Sequence, residues 1–356
     1  MMITVFILIC CNSTECCHAG QKTKPQNWNS ISYFIAMIVE SQFNPAYGLS
    51  NRHLQTLLPN VVFRRPNVEL QRERIELPDG DFIDADWTTG KHGPIVIVLH
   101  GLEGSIKSRY AARIMYDIHA MGWRGLLPHF RGCSGEPNRL SIGYHSGYTS
   151  DLEYLSNILK SREPDTLLAV VGFSLGGNVI LKWLGESPYA DRIVTAVAVS
   201  VPFDLADASR VIETGISQIY KWSLLGRMRH STLRKFRQVT PPFKFPEIKR
   251  IRTFREFDDK LTAPLHGFMD ADDYYNKCSS RHYLKNIRIP TLILHAKDDP
   301  FMSTASIPIE SELSGSVRLE LSNKGGHVGF VGGTLFRPQL WLGQRICQHL
   351  HEYLGH

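Results

Sequence analysis

A serine stands between two glycines in Gly172-Phe173-Ser174-Leu175-Gly176, directly after an apolar run at residues 168–171 and at the head of a helical pattern that continues to about residue 185. A strand that reverses sharply into a helix holds the central residue in a strained backbone conformation, and only very small residues fit two positions to either side. The hydroxyl of Ser174 is then lifted above the sheet edge, with the backbone N–H of Leu175 pointing where an oxyanion would form. A serine hydroxyl is a weak nucleophile near neutral pH, so the chemistry needs a base and an acid to hold that base. The chain supplies them in the order Ser, Asp, His, one of the known arrangements of such a trio. Asp298-Asp299 follows the apolar run at residues 291–295, and His327 ends Lys324-Gly325-Gly326-His327 after the run at residues 317–321. Both are expected in loops at strand ends, where open sheets bind their ligands. Counting Ala296 as the first residue past the strand, the fourth is Asp299, which is the expected catalytic acid; Asp298 is the alternative and otherwise caps the turn.

A second oxyanion donor is expected in His100-Gly101-Leu102-Glu103-Gly104, after the apolar run Ile95–Leu99. Its glycines let the backbone turn toward a substrate, and the donor would be the amide of Leu102; His100 would pack beneath the loop. Arg131-Gly132-Cys133-Ser134-Gly135 reads as a loop-organising segment. Cys133 beside a basic residue could be a nucleophile, but no histidine is ordered around it as convincingly as around the serine, and the serine trio is preferred. There is no His-Glu-x-x-His pair, clustered Cys/His set, phosphate loop or dinucleotide fingerprint, so neither a metal nor a cofactor is expected.

The elements needed to position these groups are legible. Residues 68–77 and 81–87 read as two strands joined by Pro78-Asp79-Gly80, an antiparallel hairpin. Short apolar strands then alternate with helical segments at residues 109–121 and 149–160, and an amphipathic helix over residues 339–354 closes the chain. Alternation of this kind implies an α/β fold: a mostly parallel twisted sheet with helices on both faces. The stretch of about ninety residues between the strands ending at Val199 and starting at Thr291 is too long for a connection and is expected to be an inserted helical cap. The core is assigned to residues 43–201 and 286–356 and the cap to residues 202–285.

The cap is basic. Between Lys221 and Arg255 it carries Lys221, Arg227, Arg229, Arg234, Lys235, Arg237, Lys244, Lys249, Arg250, Arg252 and Arg255 against Glu247 alone. Such a segment can attract an anionic substrate or a membrane surface, or can simply be a solvated helical face, the preferred reading.

The 356 residues, 43% hydrophobic and 21% charged, are those of a globular protein. A net charge of +6 spread along the chain gives no reason to expect nucleic acid as a partner. Of seven cysteines, Cys10, Cys11, Cys16 and Cys17 crowd the start, and Cys133, Cys278 and Cys347 have no paired spacing, which favours a reducing compartment. Residues 1–42 read as an extension. Its apolar run from Met2 to Cys11 lacks the preceding cation and small cleavage-site residues of a secretion signal, and that at residues 31–39 is about half the roughly 20 residues needed to cross a bilayer. A cytoplasmic location is expected, with a membrane tether through the extension as the alternative.

Several longer blocks carry a resemblance. Phe43-Asn44-Pro45-Ala46-Tyr47-Gly48-Leu49, Asn51-Arg52-His53-Leu54-Gln55-Thr56 and residues 100–105, 129–139, 172–178, 255–259, 295–302 and 325–333 together resemble the bacterial YheT-like α/β-hydrolases. These are similar in turn to eukaryotic α/β-hydrolase domain proteins that act on acyl esters and phospholipids. The likeness runs from about residue 43 to the carboxyl terminus and implies the trio Ser174, Asp299 and His327. The expected function is hydrolysis of small carboxylic esters, anionic or lipid-like, through an acyl-enzyme. Alternatives are a non-catalytic binding module, an acyltransferase or a thioesterase.

Overall fold

The computed structural model describes residues 37–355 apart from 91, 243, 335 and 336. The apolar run from Met2 to Cys11, and most of the expected extension, lie outside the described residues.

Nine strands form one sheet: β1 (Ile38–Glu40), β2 (Leu70–Glu76), β3 (Phe82–Thr88), β4 (Ile95–Leu99), β5 (Arg124–Pro128), β6 (Leu168–Phe173), β7 (Ile193–Val199), β8 (Thr291–Ala296) and β9 (Val317–Ser322). Their spatial order is β1-β9-β8-β7-β6-β4-β5-β3-β2. The hairpin of β2 and β3 is antiparallel, as its Pro-Asp-Gly turn predicts, and β3 meets β5 antiparallel; every other pairing within this sheet is parallel. β1 comes from within the segment read as an extension, pairing Ile38 with Leu319. Its three residues are too few for periodicity to reveal.

The central strands are buried on both faces, which is why they read as unbroken apolar runs. In β4, alternation sends Ile95, Ile97 and Leu99 to a cluster with Val170, Val179 and Ile180, while Val96 and Val98 join Ile114, Met115 and Leu350 on the other face. Helices Arg109–Ala120 and Trp341–Leu354 cover the second face; Ser150–Arg162 and Leu175–Glu186 cover the first. The last helix starts two residues later than its pattern implied, because Arg337–Leu340 pairs antiparallel with Val331–Thr334.

Between β7 and β8 the chain forms the helices Leu205–Val211, Gln218–Lys235, Phe245–Arg250 and Ala271–Cys278 with shorter turns. They enclose an apolar cluster of their own around Ile212, Leu225, Ile248, Ile251 and Phe257. Near the end of this insertion Leu284 returns to the main core. No helix among the described residues is long and apolar enough to cross a membrane.

Candidate active site

Ser174 sits at the end of β6, immediately before helix Leu175–Glu186, with φ 51° and ψ −119°. This strained turn is held from beneath by the Ser174 N–H donating to the Val199 carbonyl at 2.8 Å. The flanking glycines are steric necessities: a Cβ on Gly172 would lie 2.6 Å from the Gly176 carbonyl oxygen, and one on Gly176 would lie 2.5 Å from that of Leu99. Glu103, Ser200, Val328 and Phe330 also take left-handed φ values, each in a loop bordering Ser174 or His327. Such strain persists only where the surroundings fix it.

The three residues singled out in the sequence come together. His327 Nε2 is 3.0 Å from Ser174 Oγ, and His327 Nδ1 is 2.8 Å from Asp299 Oδ2. With Asp299 ionised, Nδ1 carries the proton and donates to the carboxylate, leaving Nε2 free to accept from the serine hydroxyl. Asp299 is only 1% exposed, and its other oxygen accepts the Phe301 N–H at 2.9 Å. The Phe301 ring stacks on the imidazole, centroids 4.1 Å apart and planes 13° apart.

Asp298 has a different task. Its Oδ1 accepts the Gly326 N–H at 3.0 Å, tying the strand-end turn to the loop that carries His327, and burial raises its pKa.

The loop after β4 is equally fixed. Buried His100 donates from Nδ1 to the Gly101 carbonyl at 2.7 Å and accepts the Phe130 N–H at Nε2 at 3.2 Å. Burial pushes its pKa down to about 3, consistent with a neutral structural ring. The Gly101 N–H donates to the Tyr110 hydroxyl at 2.8 Å, and the Glu103 N–H donates to the Tyr144 hydroxyl at 2.9 Å. Leu102, between them, borders the same apolar chamber as Ser174 and Leu175. The Leu175 amide opens a helix, where N–H groups have no partner within the helix. Cys133 is half-buried, and its removal from water raises the thiol pKa, which disfavours the thiolate that nucleophilic work needs.

Sequence reasoning assigned no chemistry to His53-Leu54-Gln55-Thr56, yet this short helix clamps the histidine loop. Thr56 Oγ1 accepts the His327 N–H at 3.0 Å. Fully buried Gln55 accepts the Val331 N–H at 2.7 Å and donates to the carbonyls of Leu49 and Val331. The approach is so close that a Cβ on Gly329 would fall 2.2 Å from the Gln55 carbonyl oxygen. The one signal of this role in the sequence was the block's specificity within the resemblance.

Much of the cap's positive charge is committed to structure. Lys221 pairs with Glu213 at 2.7 Å and Arg255 with Asp272 at 2.7 Å. Arg229 donates to the Ile251 carbonyl, Arg234 to that of Gly132 and Lys235 to that of Ile142. Among the described residues no group of three or more His, Cys, Asp or Glu side chains is placed to hold a metal ion.

The family model for the alpha/beta hydrolase fold matches residues 94–221. The chain is 43% identical over 320 residues to "Putative esterase YheT" of Escherichia coli, spanning 88% of this chain and 94% of that protein. It is 27% identical to "Phospholipase ABHD3" of Mus musculus, over 94% of this chain and 85% of the relative. With "Monoacylglycerol lipase" of Saccharomyces cerevisiae it shares 33% identity over 72% of this chain and 59% of the relative. In fold it is similar to the Pyrococcus furiosus esterase Pf2001, with a TM-score of 0.54 at 17% identity over 89% of this chain and 100% of that one. With so much of both sequences aligned at that identity, and with the strand-turn-helix serine in place, the chain belongs to the YheT-like family of α/β-hydrolases.

Proposed function

We propose that the protein is a serine esterase that cleaves small-molecule carboxylic esters with an apolar acyl part. The observation that carries this reading is the 3.0 Å approach of Ser174 Oγ to His327 Nε2 while Nδ1 of the same ring lies 2.8 Å from Asp299. His327 takes the Ser174 proton as Oγ bonds to the ester carbonyl carbon. The amides of Leu102 and Leu175 stabilise the oxyanion of the tetrahedral intermediate. Collapse breaks the bond to the alcohol oxygen, which takes the proton from the imidazolium and leaves an acyl group on Ser174. Water, deprotonated by His327, attacks that acyl group; the acid departs and the serine hydroxyl is restored. Asp299 holds the ring and stabilises its cationic form throughout. Relatives named as an esterase, a monoacylglycerol lipase and a phospholipase support acyl esters as the substrate class.

A cytoplasmic location is part of the same reading, supported by the free thiols of Cys133, Cys278 and Cys347. A fluorophosphonate probe with a short-chain p-nitrophenyl ester assay tests the mechanism. Wild type labels and turns over, and Ser174→Ala does neither; labelling that persists in Ser174→Ala excludes this serine as the nucleophile.

A further inference from the structure

The space around Ser174 and His327 has two unlike sides. One is a chamber beneath the cap, bounded by apolar Leu205, Ala208, Ile212, Leu224 and Met302. The other is a cleft of about 660 Å³ bordered by Thr56, Lys107, Arg109, Ser223 and Arg227. Ser174 and His327 border both. An ester bound with its carbonyl at Ser174 gains from burying its acyl chain in the more apolar chamber, which leaves the alcohol portion for the cleft that carries the charged side chains.

That cleft has an excess of cations. Lys107 comes from the loop after β4, Arg109 from the start of helix Arg109–Ala120 and Arg227 from the cap helix Gln218–Lys235, so the charges reach it from both core and cap. The carboxylate bordering it, Glu103, already accepts the Tyr144 hydroxyl at 3.1 Å and the Ser231 hydroxyl at 2.5 Å. Arg109 is occupied too, donating to the Phe63 carbonyl at 2.7 Å. Lys107 and Arg227 differ from the committed cap cations: both are exposed, and neither enters an ion pair among the described residues. Two cations with no ion-pair partner among the described residues, bordering the same cleft as Ser174 and His327 and, with Arg109, outnumbering its carboxylate Glu103, raise the local concentration of an anion and can bond its oxygens directly.

We propose that Lys107 and Arg227 make this site selective for esters whose alcohol portion carries a negative charge, a phosphomonoester or comparable anion. The inference rests on the serine-esterase reading and adds to it a substrate class and the two residues that read it.

The test compares a short-chain monoacylglycerol with its phosphate monoester, both kept monomeric so that attraction to a lipid surface plays no part. The wild type is expected to favour the phosphorylated ester by about tenfold or more in kcat/KM, as one charge-assisted contact supplies in a transition state. In Lys107→Gln/Arg227→Gln the ratio of the two kcat/KM values falls toward unity, and added salt lowers the wild-type ratio in the same direction. Arg252→Gln, a cap cation that does not border this cleft, keeps the wild-type ratio. A wild-type ratio of one or less overturns the proposal, as does a ratio that survives in the double variant. Absence of turnover with both esters together with absence of fluorophosphonate labelling overturns the esterase reading itself, and is a separate outcome from turnover without preference.

Discussion

The hydroxyl of Thr56 accepts the backbone N–H of His327 at 3.0 Å while donating its own proton to the Arg52 carbonyl at 2.8 Å. The backbone that carries the imidazole is therefore bonded to a side chain 271 residues away in the chain. The neighbouring Val328 N–H donates to Ser200 Oγ at 3.0 Å, so consecutive amides of the histidine loop are anchored to two different parts of the core.

Thr56→Val keeps the shape and removes the acceptor. An unsatisfied N–H of this kind costs about 1–3 kcal/mol, expressed here as looser placement of His327. A fall in kcat of about tenfold is expected with KM little changed. Thr56→Ser, which restores the acceptor, should recover most of the rate. Steady-state kinetics on a short-chain ester decide the matter, and an unaltered kcat in the valine variant would show that the loop holds the ring without this bond.

The adjacent aspartates should separate cleanly. Asp299→Asn leaves the geometry but disfavours the Nδ1–H tautomer on which the base depends, and kcat should drop by about 10,000-fold. Asp298→Asn retains an oxygen able to accept the Gly326 N–H, so its effect should stay within about tenfold. Equal losses in both variants would mean that the carboxylates act as a unit.

Signals local in the chain were legible, and those that depend on distant neighbours were not. The strain of the Ser174 turn is written in Gly172 and Gly176, and the expectation of Asp299 rather than Asp298 beside His327 came from counting along one loop. The duty of Asp298 as an acceptor for Gly326 could not be read in this way, because it arises from the packing of two loops. The same holds for Gln55, whose partner Val331 is 276 positions away, and for β1, three residues that become a strand only against β9. The cap's cations illustrate the limit differently. Their number was plain in the sequence, but Lys221 with Glu213 and Lys235 with the Ile142 carbonyl are structural, whereas Arg227 reaches the cleft.

Cys133 gives a negative control. Burial raises its thiol pKa, so little thiolate is present at neutral pH. Iodoacetamide at pH 7 should leave activity intact, and Cys133→Ala should retain wild-type kcat within about twofold. Inactivation that maps to Cys133 by mass spectrometry would contradict this placement.

Asp258 ties the cap to pH. It is a buried carboxyl accepting the Thr262 hydroxyl and the Tyr275 hydroxyl, each at 2.7 Å, and burial raises its pKa from 3.8 to about 6. The folded state therefore holds this proton more tightly than the unfolded chain does. Its contribution to stability is fully present below pH 3.8 and is lost as pH rises through about 6. The difference amounts to roughly 3 kcal/mol if the whole shift is realised. Carboxylates held low by their partners, such as Asp86 beside His129 and Arg72, act with the opposite sign and mainly below this window. Asp258→Asn removes the titration while keeping an oxygen acceptor. Measured by urea unfolding, wild type minus variant stability should decline from pH 4 to about pH 6 and level off by pH 7; a difference that stays flat from pH 4 to pH 6 would mean that Asp258 is charged in the folded cap with little penalty.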